Sequence, residues 1–78
     1  MTIQAKYISK DQNSNDETTN YWFKVVHSDN DLSGVYGVAD NNGNIRLLDC
    51  DGCLCTNDHH FHEILDHCVI TDEMINDY

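Results

Sequence analysis

The residues best suited to chemistry in this 78-residue chain are its cysteines and histidines, which are concentrated in one segment. All four cysteines and four of the five histidines lie between Cys50 and Cys68. A Cys-x-x-Cys pair followed by histidine is a pattern in which thiolate sulfur and imidazole nitrogen can bind zinc tetrahedrally. The sequence therefore allows a structural zinc site, with Cys50, Cys53, Cys55 and His59 as its ligands.

Two features of the same segment weaken the zinc hypothesis. A usual structural site has two separated ligand pairs, and here the second pair is ambiguous. Cys68 falls on the apolar face of a predicted helix, where a cysteine is typically a small core residue. We therefore expect a fold with reduced cysteines and with no metal or other cofactor. The alternative to this metal-free fold is a small zinc-binding domain that is stabilised by cysteine and histidine ligands.

The segment contains no recognisable catalytic motif. His62 and His67 enclose a glutamate as in a metalloprotease helix, but that motif needs histidines four residues apart on one face. Here the two histidines are five residues apart, which places them about 140° apart around a helix. No serine or cysteine triad, phosphate-binding loop or dinucleotide fingerprint is present. We do not expect an enzyme.

The charge of the chain is large and unevenly distributed. Fourteen acidic residues against four basic ones give a net charge of −10. Residues 47–78 hold eight of these acids and no lysine or arginine. Such a field repels nucleic acid and anionic membranes and attracts basic partners. The candidate partner-binding residues are therefore these eight acids: Asp49, Asp51, Asp58, Glu63, Asp66, Asp72, Glu73 and Asp77.

These side chains need a scaffold, and the length of the chain predicts a single domain over residues 1–78. Alternating apolar residues predict strands at residues 3–8, 21–27, 35–39 and 45–50. Residues 10–19 are polar and predict a long loop. Residues 40–44 contain Asn-Gly, which is typical of a hairpin turn. Short connections of this kind favour an antiparallel meander of three to four strands.

The meander is expected to be followed by a C-terminal helix packed on one sheet face, which gives an α+β fold. Phe61, Ile64, Leu65 and Cys68 recur at helical spacing and form its apolar face. A short last turn over residues 72–77 should place Met74 on the sheet, together with Ile75. We expect Tyr21, Phe23 and Val25 to be buried, with Ile3, Ala5 and Tyr7 sharing one face of the first strand.

In size, charge and lack of catalytic residues, the chain resembles the small acidic inhibitors that bacteriophages encode against host defences, including anti-CRISPR proteins and anti-restriction DNA mimics. The resemblance rests on charge and length rather than on a motif. It implies an inhibitor that occupies the basic, nucleic-acid-binding surface of a protein or complex. It also implies no catalysis by the chain itself. Direct binding of nucleic acid is not expected, because only Lys6, Lys24 and Arg46 lie near the aromatic residues of the predicted strands.

The remaining expectations concern location and assembly. No basic start leads into an apolar run, and no apolar run is long enough to cross a membrane. The expected location is therefore the cytoplasm, which is that of the host cell if a phage encodes the chain. An exposed strand edge would support a homodimer, but no residue pattern requires one, so both monomer and homodimer remain open.

Overall fold

The computed structural model of the chain describes residues 2–12, 17–55 and 59–76, and for residues 59–61 it describes the backbone only. Four strands precede two α-helices in these ranges. The strands are β1 (Ile3–Gln12), β2 (Thr19–His27), β3 (Gly34–Asn41) and β4 (Asn44–Leu48), and the helices are α1 (His59–His67) and α2 (Asp72–Asn76). The strands form one antiparallel sheet in the order β1-β2-β3-β4, so the predicted α+β meander with a C-terminal helix is confirmed.

The first two strands are longer than the sequence predicts. The predicted loop over residues 10–19 is wrong at both ends, because residues 10–12 pair with residues 19–21. A register shift between Tyr7 and Ser9 marks a bulge in β1. The bulge leaves Ile8 half exposed and lets the strand continue with polar residues. Polar side chains are tolerated there because β1 is an edge strand.

The core lies on one face of the sheet. Tyr21, Phe23 and Val25 are buried from β2, as predicted, and Ile64 and Cys68 reach them from the helical layer. The other buried hydrophobic members of this cluster are Tyr36, Val38 and Leu47, and Ile3, Ala5 and Tyr7 pack against it from β1. The rings of Tyr7 and Phe23 pack edge to face, with their centroids 5.8 Å apart. Aromatic contact of this kind adds to the stability gained from burial.

The hairpin between β3 and β4 follows the prediction from Asn-Gly. Asn42 and Gly43 both adopt positive φ, at 51° and 95°, as the tight turns of hairpins require. The carboxylate of Asp40 accepts a hydrogen bond from the Gly43 amide at 3.0 Å. β4 then ends at Leu48 rather than at residue 50, because Asp49 begins a turn.

The helical layer agrees with the predicted apolar face where side chains are described. Ile64 is fully buried and Leu65 packs against the core, whereas the side chain of Phe61 lies outside the described residues. Met74 of α2 also packs on the core, as predicted. Ile75 is 47% exposed, so the expectation that it packs on the sheet is wrong.

The connection between β2 and β3 folds back and forms hydrogen bonds with the last residue of β2. A 3-10 turn spans Asn30–Leu32, and the Ser33 hydroxyl accepts a hydrogen bond from the His27 amide at 2.9 Å. His27 is buried, and its Nδ1 accepts from the Asp29 amide at 2.8 Å. These local hydrogen bonds therefore hold the turn against one end of the sheet.

Candidate protein-binding surface

The candidate acidic residues that the structure describes occupy three different environments. Asp66 on α1 and Asp72 and Glu73 at the start of α2 are exposed. We call these three residues the acidic helical surface. Two of them lie in the first turn of α2, where negative charge complements the partial positive charge of a helix start. Asp51 is also exposed, but it lies on the turn after β4.

Asp49 serves the local structure. Its Oδ1 accepts hydrogen bonds from the backbone amides of Asp51 and Cys53, both at 2.9 Å. The Asp49 amide donates to the carbonyl of Cys53 at 2.9 Å, and the Gly52 amide donates to the carbonyl of Asp49 at 3.0 Å. One carboxylate thus organises the whole turn. A partner could use only the oxygen that the turn leaves unengaged.

Glu63 is half-buried, and its Oε2 is buried without a hydrogen-bond partner among the described residues. The helix places it between the core face and the outer face. It is therefore a poorer contact residue than Asp66, which is one turn further along and exposed. Asp58 and Asp77, the remaining two candidates, lie outside the described residues.

Lys10 is engaged with the backbone of α2. Lys10 donates from Nζ to the carbonyl of Ile75 at 2.6 Å. A cation at the end of a helix satisfies a free carbonyl and complements the negative end of the helix. This contact fastens α2, which carries Asp72 and Glu73, to β1.

The cysteines are divided between surface and core. Cys50 and Cys53 are exposed, Cys55 is half-buried and Cys68 is 4% exposed. Over residues 2–12, 17–55 and 59–76, no three histidine, cysteine or acidic side chains come together in a way that could hold a metal. The side chain of His59, the fourth ligand of the zinc alternative, is outside the described residues.

The buried thiols are held in the protonated form. Burial raises the pKa of Cys68 to about 11. Burial, with a smaller contribution from the Asp49 carboxylate, raises the pKa of Cys55. The pKa of Tyr36 is raised by burial first and then by the neighbouring thiols of Cys55 and Cys50. Because the thiolate is the reactive form, these shifts make the inner cysteines poor nucleophiles.

Sequence reasoning did not anticipate the arrangement of the basic residues. Lys6, Lys24 and Arg46 all project from the sheet face opposite the core, as their register shows. Trp22 lies on the same face, with its Nε1 donating to the Asp11 carboxylate at 3.0 Å. The alternation in β2 already separates Trp22 and Lys24 from the buried residues. Placing Lys6 and Arg46 beside them requires the strand pairing.

Residues within the described ranges line two surface hollows. One, of about 570 Å³, lies between β1 and α2 and is lined by Tyr7, Thr71, Glu73, Met74 and Asn76. The other, of about 340 Å³, is lined by Thr18, Ala39, Asn41, Asn44 and Arg46. Among these lining residues the first hollow has one formally charged side chain, Glu73, and the second has one, Arg46.

Over the described residues, neither α1 nor α2 approaches the length and apolar character needed to span a bilayer. Comparison with protein-family models, with curated proteins and with solved structures found no match.

Proposed function

We propose that the chain is a small acidic protein-binding module that occupies the basic, nucleic-acid-binding surface of a partner. The observation that carries the proposal is the exposed acidic helical surface, which lies on the side of the sheet away from three of the four basic residues. Asp66, Asp72 and Glu73 are exposed on the helical side, whereas Lys6, Lys24 and Arg46 project from the opposite face. A surface of one sign attracts a partner of the other sign and aligns it before contact.

The rigidity of the scaffold supports the same proposal. α1 is anchored in the core by Ile64 and, directly after its last residue, by Cys68, and α2 is fastened to β1 through Lys10. A backbone anchored in this way loses little conformational freedom on binding, which favours affinity. Grooves that bind nucleic acid present lysine and arginine side chains to phosphates. Spaced carboxylates on a small rigid support can occupy the same cationic side chains.

Inhibition follows from such binding without any catalysis. A partner whose groove is filled by the acidic helical surface has no room for its DNA or RNA. We propose that the targets are enzymes or complexes that handle nucleic acid, with bacterial defence systems as the first class to examine. This part of the proposal rests on the size and charge of the chain, −10 over 78 residues.

A matched pair of variants tests the proposal. Asp66→Lys with Glu73→Lys alters the acidic helical surface, and Glu17→Lys with Asp31→Lys alters exposed acids elsewhere. Each double variant changes the net charge by the same amount, from −10 to −6, since each reversal adds two units. Immobilised wild-type chain and both variants are exposed to bacterial lysate at low and high salt.

The proposal predicts that wild type and the Glu17/Asp31 variant retain the same nucleic-acid-binding protein at low salt, and that the Asp66/Glu73 variant loses it. High salt should weaken retention, because exposed charges are screened beyond about 10 Å at 0.1 M. Equal loss with both variants would mean that only net charge matters. Equal retention by both would contradict the proposed surface.

A further inference from the structure

The sheet face opposite the helices has the composition of a protein interface. We call it the open face and define it by Lys6, Asp11, Trp22, Val26, Val35 and Arg46, whose register places them on the side away from the core. Val26 is 53% exposed and Val35 is 38% exposed. Tryptophan and arginine are the residues most enriched where proteins bind each other tightly.

The charges on the open face are poorly arranged for an isolated chain. Lys6 and Lys24 stand directly opposite each other in the β1–β2 register, and Val35 follows on β3. Like charges in directly opposed positions destabilise a sheet. The register supplies no acidic neighbour beside either lysine on this face. A partner with carboxylates at this level would relieve the repulsion.

The two edge strands also carry opposite charges at the same position along the strand direction, which we call a level. Asp11 on β1 pairs with Asn20, Asn20 pairs with Ala39, and Ala39 pairs with Arg46 on β4. Three strand spacings separate Asp11 from Arg46, which is roughly 14 Å at about 4.8 Å each. The two side chains stand too far apart to form an ion pair within one chain.

We propose that the open face binds the open face of a second copy of this chain, about a two-fold axis that runs parallel to the strands between β2 and β3. Rotation about such an axis keeps every residue at its own level and places β1 of one copy over β4 of the other. Asp11 then faces Arg46 of the second copy, and Arg46 faces its Asp11. The face is therefore complementary to itself, as a two-fold interface must be.

The same rotation brings acidic residues opposite Lys6, whereas Lys24 faces Val35 of the second copy. Leu48 lies opposite Gly37 in the β3–β4 register. Val35 is two residues before Gly37, so the position opposite Val35 is two residues after Leu48, in the turn that follows β4. That turn carries Asp49 and Asp51. Lys6 of one copy faces this turn of the other. Trp22 lies beside the axis and faces Gly37 of the second copy, and Val26 lies further along β2, beyond Lys24.

The dimer geometry agrees with how sheets pack. Two sheets packed face to face lie about 10 Å apart, with their strands within about 30° of each other. A two-fold axis parallel to the strands produces this aligned arrangement. For so small a domain, a second copy also supplies apolar contacts that the single core lacks. The helices of both copies face outward, so the acidic helical surface stays accessible.

A nucleic acid fits this face less well than a second copy. Stacking on Trp22 would be available, but surfaces that follow a single strand combine aromatic residues with a continuous basic groove. Here Asp11 interrupts the basic residues and is fixed beside the indole by a hydrogen bond. A face that carries both acidic and basic side chains favours a partner with the opposite charge at each of these positions.

Sedimentation equilibrium tests the proposal. Wild type should shift from the chain mass of 9.0 kDa to twice that value as concentration rises toward about 1 mM. Arg46→Asp alone and Asp11→Arg alone should weaken self-association by at least about tenfold, because like charges then face each other. An equimolar mixture of these two variants should dimerise, since both ion pairs are restored between unlike chains.

Further measurements keep the result clear. Circular dichroism establishes that each variant is folded, and Val26→Glu, at an exposed apolar position, serves as a second disrupting variant. Asp66→Arg, on the helical side, should dimerise like wild type. Trp22 is the only tryptophan, so its emission should shift with concentration in wild type and not in Val26→Glu.

Three results would overturn the proposal: a wild-type chain that stays at 9.0 kDa throughout, folded variants whose mixture does not associate, or assemblies that keep growing beyond two copies. The test is independent of the proposed function, because it requires no partner and the acidic helical surface is unchanged in every disrupting variant.

Discussion

The indole of Trp22 lies across Gly37, its partner in the register between β2 and β3. A Cβ built on Gly37 would stand 2.8 Å from Cζ3 of the indole, closer than two carbon atoms can approach. The hydrogen bond from Nε1 to Asp11 holds the ring in this position. Gly37 is therefore required by contact with a neighbouring side chain.

Gly37→Ala should destabilise the chain by about 1–3 kcal/mol, because the added methyl group displaces the indole. Urea unfolding measures the loss. In a Trp22→Ala background, Gly37→Ala should lower the free energy of unfolding much less, because the indole is absent. The double-mutant cycle gives the coupling energy between the two residues. Equal costs in the two backgrounds would show that the contact is not responsible.

Ile64→Ala should lower the free energy of unfolding by about 2–5 kcal/mol, because it leaves a cavity under α1. Val69→Ala is the matched control, since Val69 is 60% exposed and surface changes usually stay within about 0.5 kcal/mol. Leu65→Ala, which is half-buried, should fall between them, and His62→Ala should resemble the control. Thermal melts in which Ile64→Ala and Val69→Ala behave alike would contradict the assigned helix face.

Stability should fall in alkaline solution as Cys68 titrates. Its folded-state pKa of about 11 lies above the 9.0 of an unperturbed thiol, so the folded state keeps a proton that the unfolded state releases. The stabilisation is complete below pH 9 and declines as the pH rises toward 11. At about 1.4 kcal/mol for each pKa unit, the total is roughly 2–3 kcal/mol.

Urea unfolding between about pH 8 and pH 10.5 measures this decline. Cys68→Ala should start from a lower stability at neutral pH and should lose less as the pH rises. A residual slope should remain, because burial also raises the pKa values of Cys55, Tyr21 and Tyr36. Parallel curves for wild type and variant would exclude Cys68 as the source.

The four thiols should differ in reactivity, and the protein should fold without metal. Cys50 and Cys53 are exposed and should react first with an alkylating reagent, followed by Cys55 and finally by Cys68. Native mass spectrometry of untagged protein should give the metal-free mass with four free thiols. One equivalent of tightly held zinc, with unfolding on chelation, would instead support the zinc-binding alternative.

Much of the fold could be predicted because its signals are local. The alternation of Tyr21, Phe23 and Val25 assigned the buried face of β2, and Asn42-Gly43 located a hairpin turn. Helical spacing placed Ile64 and Cys68 in the core. The extension of β1 through residues 10–12 was not predictable, because those polar residues are held by pairing across a bulge.

The candidate site was less predictable for the same physical reason. The count of acids along the chain does not reveal that Asp49 closes a turn or that Glu63 is half-buried. Their environments depend on backbone amides and packing contacts that form only in the folded chain. The gathering of Lys6 and Arg46 on one face likewise depends on strand order, which composition does not encode.

The most direct test of the proposed function is displacement of nucleic acid from the captured partner. The partner is purified with a fluorescently labelled DNA or RNA bound, and anisotropy is followed as the chain is added. We predict that wild type and the Glu17/Asp31 double variant release the nucleic acid competitively, and that the Asp66/Glu73 double variant requires a much higher concentration. A partner that binds wild-type chain and nucleic acid at the same time, with neither affinity reduced, would contradict the account.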